Sequence, residues 1–369
     1  ISHPLLDESK TFFEVLDKQD VLLHYPYQNF SYLIDFIREA AIDPHVTTIK
    51  MTLYRVANYS MVANLLINAA KNGKKVVAVV ELQARFDEES NIYWAKKMQE
   101  EGVSVIYGVQ GLKVHSKLCL ITRVKKDVRT RYVNLSAGNF NEKTSQIYSD
   151  TALFTADERL TYESNKAFQF FQNNFKVYNF KHLIVSPHQS RIKFYELIDQ
   201  EIEHARKGKE AAIFAKMNSL VDTEMIDKLY LAAESGVKIR LIVRGICSLI
   251  PELENLKGNI EIISIVDKYL EHSRIFIFHN KGKKKYYLSS SDWMQRNLDF
   301  RVEITFPIYA ESQQAELDFF MENQWNDNTK SRIIDSQFKN LYKVDKAKKN
   351  RAQLTFHNYL KEKYSANED

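Results

Sequence analysis

The sequence contains the same run of motifs twice. "AAKNGKKVVAVVE" (69–81) resembles "AAESGVKIRLIVR" (232–244), "VHSKLCLI" (114–121) resembles "EHSRIFIF" (271–278), and "NLSAGNFNEK" (134–143) resembles "YLSSSDWMQR" (287–296). The spacing within the two copies is also similar, with 42 residues from Gly73 to His115 and 36 from Gly236 to His272. A repeat of this length predicts two related structural units instead of one continuous fold.

Strand-like and helix-like segments alternate through both copies. "VTTIKMTLY" (46–54) has the apolar, β-branched character of a strand, and "MVANLLINAAKN" (61–72) has helical periodicity ended by a glycine. This alternation predicts an α/β fold with mixed, mainly parallel sheets in two tandem domains related by pseudo-twofold symmetry. We place the domains at 1–182 and 183–369. A basic tail from about 330 is expected to form a solvated helix in preference to a polyanion site.

Length and composition narrow the class of protein. A chain of 369 residues with 44% hydrophobic content can bury large cores. Its apolar runs have the length of strands, far below the ~20 residues that span a bilayer, and no leader-like segment opens it. Two cysteines are too few for a disulfide framework, so a cytoplasmic location is expected. The chain begins at Ile1 instead of methionine, which suggests a processed product or a fragment.

Each copy has a histidine followed two residues later by a cation. His115 precedes Lys117, and His272 precedes Arg274. Since residues i and i+2 of a strand share a face, imidazole and cation point the same way in each copy. A lone strand histidine is more often structural, but the duplication favours two pairs that meet at one site. An imidazole nucleophile beside cations suits attack on a phosphoryl group.

The sequence lacks the motifs of several other phosphate-binding and catalytic sites. It has no P-loop, no G-x-G-x-x-G fingerprint, no zinc-spaced Cys/His cluster and no G-x-S-x-G elbow. Side chains must therefore bind the phosphate, and guanidinium groups bind it bidentately. The candidates are the arginines in or directly after apolar strands: Arg55, Arg85, Arg244 and Arg301.

The two His-x-Lys/Arg strands, each followed by a Gly-Asn or Ser-Ser-Asp turn, resemble the duplicated phospholipase D fold. "TLYRVA", "VVELQARFDE", "GLKVHSKL", "GNFNEKT", "VRGICSLIP", "SIVDKYLEHSR" and "LSSSDWMQRN" further resemble the polyphosphate kinase family of the first type. The resemblance extends from about residue 20 to the tail. That family has further domains ahead of these two, so the chain resembles its carboxy-terminal catalytic half.

The resemblance implies reversible transfer of the terminal phosphate of ATP to polyphosphate through a phosphohistidine. It implies that His115 is phosphorylated, that His272 is the second active-site histidine, that Tyr148 stacks on adenine and that Arg244 contacts nucleotide phosphate. Arg55 and Arg85 match the family's magnesium-site positions. Because a guanidinium offers no oxygen ligand, we expect them to hold phosphate oxygens that Mg²⁺ also binds. A second group of candidates comprises Lys117, Asn139, Asp150, Arg274, Arg301 and Glu303, of which Asp150 and Glu303 would orient the histidines or hold a water on the metal.

The flanking charges suggest different roles for the two histidines. Lys113 and Lys117 on either side of His115 favour a neutral nucleophile, whereas Glu271 beside His272 favours an imidazolium that donates a proton. The expected partners are ATP/ADP and inorganic polyphosphate, without nucleic acid. A homo-oligomer is expected for the full-length protein, with no transmembrane segment, and peripheral membrane association stays open.

Two other functions remain open. The phospholipase D pattern has an aspartate five residues after the lysine, where this chain has Thr122 and His279, which argues against hydrolysis. A phosphodiesterase or nuclease is nevertheless the first alternative, since the same twin histidines would serve it. A polyanion-binding fragment without turnover is the second.

Overall fold

The computed structural model describes residues 1–6, 10–84, 86–256, 258–345 and 348–365. The helices in these ranges are α1 (Phe12–Leu16), α2 (Ser31–Ile42), α3 (Met61–Lys71), α4 (Glu88–Glu100), α5 (Glu158–Gln172), α6 (Ser190–Arg206), α7 (Thr223–Glu234), α8 (Gln295–Asp299), α9 (Glu311–Trp325) and α10 (Ala352–Ser365). Among the residues described, none of these helices is both long and apolar enough to cross a membrane.

The strands alternate with these helices. They are β1 (Val21–Tyr25), β2 (Val46–Leu53), β3 (Lys75–Val80), β4 (Ser104–Tyr107), β5 (Lys113–Val114), β6 (Leu118–Lys125), β7 (Val128–Ser136), β8 (Tyr148–Thr155), β9 (Ile184–Val185), β10 (Ala212–Met217), β11 (Lys238–Val243), β12 (Ile260–Ile265), β13 (Leu270–Glu271), β14 (Arg274–Phe278), β15 (Lys285–Ser289), β16 (Arg301–Val302), β17 (Ile304–Pro307) and β18 (Ser331–Ile333).

The chain forms two compact units. The first contains Ile1–Leu183, Phe300–Ile304 and Tyr364–Asp369, and the second contains Ile184–Asp299 and Thr305–Lys363. The main division lies one residue from the predicted boundary. The short segment Phe300–Ile304 belongs to the first unit although it comes from the second half of the sequence.

The first unit is built on a sheet with the strand order β1-β8-β7-β6-β2-β3-β4. Strands β2, β3 and β4 pair in parallel, and the remaining neighbours pair antiparallel. Helix α3 begins at the N-cap Ser60, whose hydroxyl accepts from the Ala63 N–H at 3.1 Å, and Gly73 ends it with φ +78°. Buried residues on one face of the sheet, including Ile49, Ala78, Cys119 and Phe154, form a core with helix residues such as Phe36.

The second unit repeats this plan. Its strand order is β18-β12-β11-β10-β14-β15-β17-β9, with β10, β11 and β12 parallel. Trp293, which follows the second Ser-Ser-Asp turn, is fully buried and stacks on Phe276 at 4.9 Å. The prediction of a mixed α/β fold with two repeats is therefore confirmed. The parallel pairing, expected for most of each sheet, is confined to three neighbouring strands.

The C-terminal helix differs from the expected solvated helix. One face of α10 is buried, with Gln353, Phe356 and Leu360 each at most 5% exposed. Its first turn is also tied down, because the Asp327 carboxylate accepts from the Ala352 N–H at 2.7 Å. A basic composition predicted solvation, but the apolar positions at helical spacing decide which face packs.

Candidate active site

Three hydrogen bonds made by their backbone groups hold His115 and Ser116 in place. Strand β5 pairs in parallel with β16, and the N–H groups of His115 and Ser116 both donate to the Val302 carbonyl at 2.9 Å. On the other side, the Thr52 hydroxyl donates to the Ser116 carbonyl at 2.7 Å. The segment Phe300–Ile304 thus decides where His115 lies.

The side chain of His115 is held by the next residue of that segment. Both Glu303 carboxylate oxygens lie 2.9 Å from His115 Nδ1, and Glu303 is completely buried. The Tyr54 ring meets the imidazole edge to face at 4.6 Å. A carboxylate accepts from Nδ1–H, so the lone pair is on Nε2, the nitrogen then able to act as nucleophile.

The two lysines that flank His115 in sequence make other contacts. Lys117 is buried and donates from Nζ to the His115 carbonyl, above the Tyr54 ring. Lys113 donates to the Gln83 carbonyl at 3.3 Å. The carboxylate beside the imidazole belongs to Glu303, one of the two acidic candidates for orienting the histidines.

In the second unit, His272 lies beside a guanidinium. Arg274 Nη1 is 3.2 Å from His272 Nε2 and 2.8 Å from the His272 carbonyl. Arg274 also pairs with Asp292 through Nη2 at 3.1 Å. Burial alone would raise the pKa of Asp292, but the charge and hydrogen bonds of Arg274 and the Asn218 N–H lower it to about 2. The carboxylate in this unit therefore neutralises the cation next to the histidine.

Glu271 is directed away from His272. Its carboxylate lies 2.8 Å from Lys216 Nζ and accepts from the side-chain amides of Gln324 at 2.8 Å and Gln353 at 2.7 Å. Glu271 and Lys216 are both nearly inaccessible to solvent. Glu271 therefore uses its carboxylate on Lys216 and two amides, and the imidazolium predicted at His272 stays a prediction.

Arg244 lies next to the same strand. Its Nη2 donates to Asn218 Oδ1 at 2.6 Å, and its Nε donates to the Glu271 carbonyl at 2.8 Å. Asn218 in turn donates to the His272 carbonyl at 3.3 Å. The structure therefore brings Arg244, His272 and Arg274 together, as expected for phosphate-binding side chains.

Of the two positions that match the family's magnesium site, the structure describes Arg55. Arg55 lies 3.3 Å from Asp87, and Arg85 lies outside the described residues. A guanidinium only donates hydrogen bonds, whereas Mg²⁺ needs oxygen ligands. Within the described part of the chain, no group of three or more His, Cys, Asp or Glu side chains is placed to hold a metal ion. Arg55 therefore offers Mg²⁺ no ligand of its own.

The other predicted residues lie on or near β7, β8 and β16. Tyr148 begins β8 and is half-buried, and Arg301 is half-buried in β16 opposite Lys113. Asn139 Oδ1 is buried without a hydrogen-bond partner among the described residues. Asp150 is buried directly over Gly138, where a Cβ would overlap its carboxylate. Only glycine therefore fits the turn before Asn139.

Sequence reasoning missed several supporting residues. Glu81 is 5% exposed, and its carboxylate accepts from the Val114 N–H at 2.9 Å, which holds the strand before His115. Tyr54, Lys216, Asn218 and Asp292 were likewise not singled out. Glu81 and Lys216 had a usable signal, because each is a charged residue in or directly after an apolar strand, where an uncompensated charge is costly.

The fold of the two units and the position of their histidines indicate the general class of protein. Each unit has a mixed α/β sheet and a histidine at a strand junction with a cation two residues later, which is the tandem phospholipase D-like arrangement. Phosphatidylserine synthase of Haemophilus influenzae Rd KW20 shares this fold, with a TM-score of 0.57 and 12% identity over 94% of this chain and 92% of that chain.

The matches to families are more specific. Polyphosphate kinase C-terminal domain 1 matches residues 11–177, and polyphosphate kinase C-terminal domain 2 matches residues 183–353. A polyphosphate kinase of Yersinia pestis is 47% identical over 98% of this chain. The crystal structure of polyphosphate kinase from Porphyromonas gingivalis superposes with a TM-score of 0.93 and 38% identity over 99% of this chain. The chain belongs to the polyphosphate kinase family.

The chain spans about half the length of these relatives. It covers 53% of the Yersinia pestis protein and 56% of the Porphyromonas gingivalis chain. Its matching regions are the family's two C-terminal domains, which agrees with the predicted carboxy-terminal half.

Proposed function

We propose that this chain is the catalytic half of a polyphosphate kinase that transfers the terminal phosphate of ATP reversibly to inorganic polyphosphate through a phosphohistidine at His115. The contact between Glu303 and His115 Nδ1 carries the proposal, since it leaves Nε2 as the nucleophile. The family of the chain supplies the substrates.

The chemistry requires two displacements at phosphorus. The Nε2 lone pair attacks the γ-phosphorus, and the bond to the bridging oxygen breaks with its electron pair leaving on ADP. A terminal oxygen of polyphosphate then attacks the phosphohistidine, and the N–P electrons return to Nε2. Glu303 keeps the proton on Nδ1 through both steps and stabilises the positive charge that develops on the ring.

The remaining residues would bind and orient the substrates. Arg244, held by Asn218 and the Glu271 carbonyl, contacts nucleotide phosphate in this proposal. Tyr148 stacks on adenine, and Arg55 and Arg85 hold phosphate oxygens. Arg274 and His272 stabilise the transferring group, with the charge of Arg274 moderated by Asp292.

Magnesium enters this proposal with its substrate, as magnesium-ATP. A bound Mg²⁺ neutralises charge on the phosphate oxygens. No step is assigned to a metal held by the protein. The cytoplasmic location and the homo-oligomer of the full-length protein remain predictions.

The test is whether magnesium-ATP leaves a phosphate on the chain. We expect an acid-labile, base-stable label from [γ-³²P]ATP, and mass spectrometry under alkaline conditions should map it to His115. Added polyphosphate should remove the label, and ADP should convert it back to ATP.

Other outcomes would support the alternatives. Hydrolysis of a phosphodiester without ATP or magnesium would favour a phosphodiesterase. Binding of polyphosphate with no label and no turnover would favour a binding fragment. A phosphate on any residue other than His115 would contradict the proposed mechanism.

A further inference from the structure

The hairpin formed by β6 and β7 holds most of the chain's net positive charge. Residues 123–131 contain five basic side chains and one acidic one, an excess of four, while the whole chain has a formal net charge of +5. The basic residues are Arg123, Lys125, Lys126, Arg129 and Arg131. Such a concentration attracts polyanions, provided that the charges share a face and are not paired internally.

The strand register places part of this charge on one face. Lys75, Thr48, Thr122 and Arg131 form one row across β3, β2, β6 and β7. Residues directly opposite one another share a face, and so do residues two apart in one strand. Lys50 and Arg129 therefore lie on the same side as Lys75 and Arg131. These four residues are the basic face.

The basic face has little internal compensation. Among the described residues, no carboxylate lies within ion-pair distance of Lys50, Lys75, Arg129 or Arg131. Burial, together with the neighbouring charges of Lys75 and Arg131, lowers the pKa of Lys50 below its usual range. The cations therefore repel one another, and an anion bound among them would relieve that repulsion.

The helix on this side of the sheet uses its carboxylates elsewhere. Helix α5 lies against the basic face, since Lys50 Nζ donates to Asn165 Oδ1 at 2.9 Å and lies 5.9 Å from the Phe168 ring. Glu163 on this helix accepts from the backbone N–H groups of residues 181–183. Asp157, its N-cap, pairs with Arg159. Neither carboxylate neutralises the basic face.

The opposite side of the hairpin is different. Arg123, Lys125, Lys126, Thr130 and Tyr132 line a cavity of about 320 Å³ there. Arg123 pairs with Asp43 at 2.8 Å, and Asp17, which accepts from the Tyr132 hydroxyl, contributes a further carboxylate. The same hairpin thus has a compensated side and an uncompensated one, which provides an internal control.

We propose that the basic face, Lys50, Lys75, Arg129 and Arg131, is a second binding site for long polyphosphate chains. This proposal rests on the proposed function and identifies where that substrate is held. Thr122 in β6 lies five residues along the chain from Lys117, which directly precedes that strand, and this corresponds to roughly 16 Å at ~3.3 Å per residue. Only a chain long enough to cover that distance can occupy the basic face while its end lies at His115.

The experiment compares two double variants that remove equal charge. Lys75→Gln/Arg131→Gln weakens the basic face, and Lys125→Gln/Lys126→Gln removes two cations from the other side and tip of the hairpin. The first should bind long-chain polyphosphate about tenfold more weakly, with a salt dependence reduced by about 0.7 per lost phosphate contact, the value for single-stranded nucleic acid. The second double variant should bind long-chain polyphosphate nearly as tightly as the wild-type chain. Tripolyphosphate binding and labelling of His115 by magnesium-ATP should change in neither.

Acetylation of the wild-type chain provides a measurement that needs no variant. Long polyphosphate should protect Lys75 from an acetylating reagent and leave Lys125 reactive, and tripolyphosphate should protect neither. Equal loss of affinity in both double variants, equal protection of both lysines, or better protection of Lys75 by anionic phospholipid vesicles would overturn the proposal. A chain that shows the selective protection but no phosphohistidine would refute the proposed function and leave the binding site standing.

Discussion

The two histidines belong to the same short motif, His-Ser-cation, at the junction of two strands, but their side chains have different partners. In the first unit the carboxylate of Glu303 contacts the imidazole of His115. In the second unit the carboxylate of Asp292 contacts the guanidinium of Arg274, and that guanidinium contacts the imidazole of His272. A carboxylate at Nδ1 prepares a ring for nucleophilic attack, whereas a guanidinium beside a ring provides a cation for the transferring phosphate.

This difference originates outside the motif. The residue in the first unit that corresponds to Asp292 is Asn139, which cannot neutralise a cation by charge. The preceding position is Gly138 in the first unit and Ser291 in the second. A Cβ at position 138 would overlap the Asp150 carboxylate, so the first unit needs a glycine there. A duplicated motif can therefore serve two chemical roles when the turns that follow it diverge.

The largest expected effect separates the two histidines. His115→Ala should reduce covalent labelling by magnesium-ATP to background, because the attacking nitrogen is lost. His272→Ala should slow transfer by about 10²-fold, the lower range for loss of a general acid or base, and still permit slow labelling. Rates of ³²P incorporation, with mapping by mass spectrometry, measure both. Stable labelling of the His115→Ala chain would reverse the assignment.

The buried pair in the second unit should matter next, for stability. Glu271→Gln removes the charge that faces Lys216 in a site closed to solvent, and breaking such a pair costs ~3–5 kcal/mol. Urea unfolding followed by tryptophan fluorescence measures the loss, because Trp293 lies in the core of that unit.

The matched control is Lys284→Gln, which removes one partner of the more exposed pair with Asp318. That variant should cost ~1 kcal/mol or less. If the two variants unfold at the same urea concentration, the buried pair contributes no more to the free energy of unfolding than the more exposed pair does.

The role of Glu303 gives an intermediate effect. Glu303→Ala should reduce kcat by about 10²-fold with little change in KM for ATP, because orientation and charge stabilisation are needed in the transition state. Glu303→Gln keeps an acceptor for Nδ1–H and should recover part of the rate. Steady-state kinetics of polyphosphate synthesis measure the effect, with Glu311→Gln on the exposed end of α9 as the control. A rise in KM without a fall in kcat would show that Glu303 supports binding and not the chemistry.

The smallest expected effect concerns acid stability of the second unit. The pKa of Asp292 is about 2 in the folded chain, below the ordinary 3.8, so its contribution of about 2 kcal/mol is present above pH 4 and is lost as the pH falls toward 2. The difference in unfolding free energy between wild type and Asp292→Asn should therefore shrink across that range. Thermal unfolding at pH 5, 4 and 3 measures it, and a constant difference would contradict the pairing with Arg274.

Much of the fold could be predicted from local patterns. The apolar runs of β2, β3 and β11 identified these strands, and the glycine after α3 identified the end of that helix. The extent of parallel pairing was overestimated, because strand order is decided by long connections that periodicity does not encode. The buried face of α10 was not predicted, because the prediction of a solvated helix rested on the basic residues of the tail and not on the spacing of its apolar residues.

The candidate site divides in the same way. Residue types and spacing singled out His115, His272, Lys117, Arg274 and Arg244 as candidates for binding phosphate. Glu303 was a candidate for orienting a histidine, but the sequence did not say which one. The charges next to each histidine in sequence were used to predict the protonation of the rings, whereas in the structure the Glu271 carboxylate is bound by Lys216 and two amides.

The sequence alone determined the duplication, the α/β character, the two His-x-cation motifs and the family, because these depend on residue order and local periodicity. Only the tertiary structure decided which charge meets which ring. Glu303 is separated from His115 by 188 positions and reaches it because Phe300–Ile304 belongs to the first unit. The basic face likewise exists only once four strands are in register. Electrostatic energies depend on distances and burial in space, and neither is set until the chain has folded.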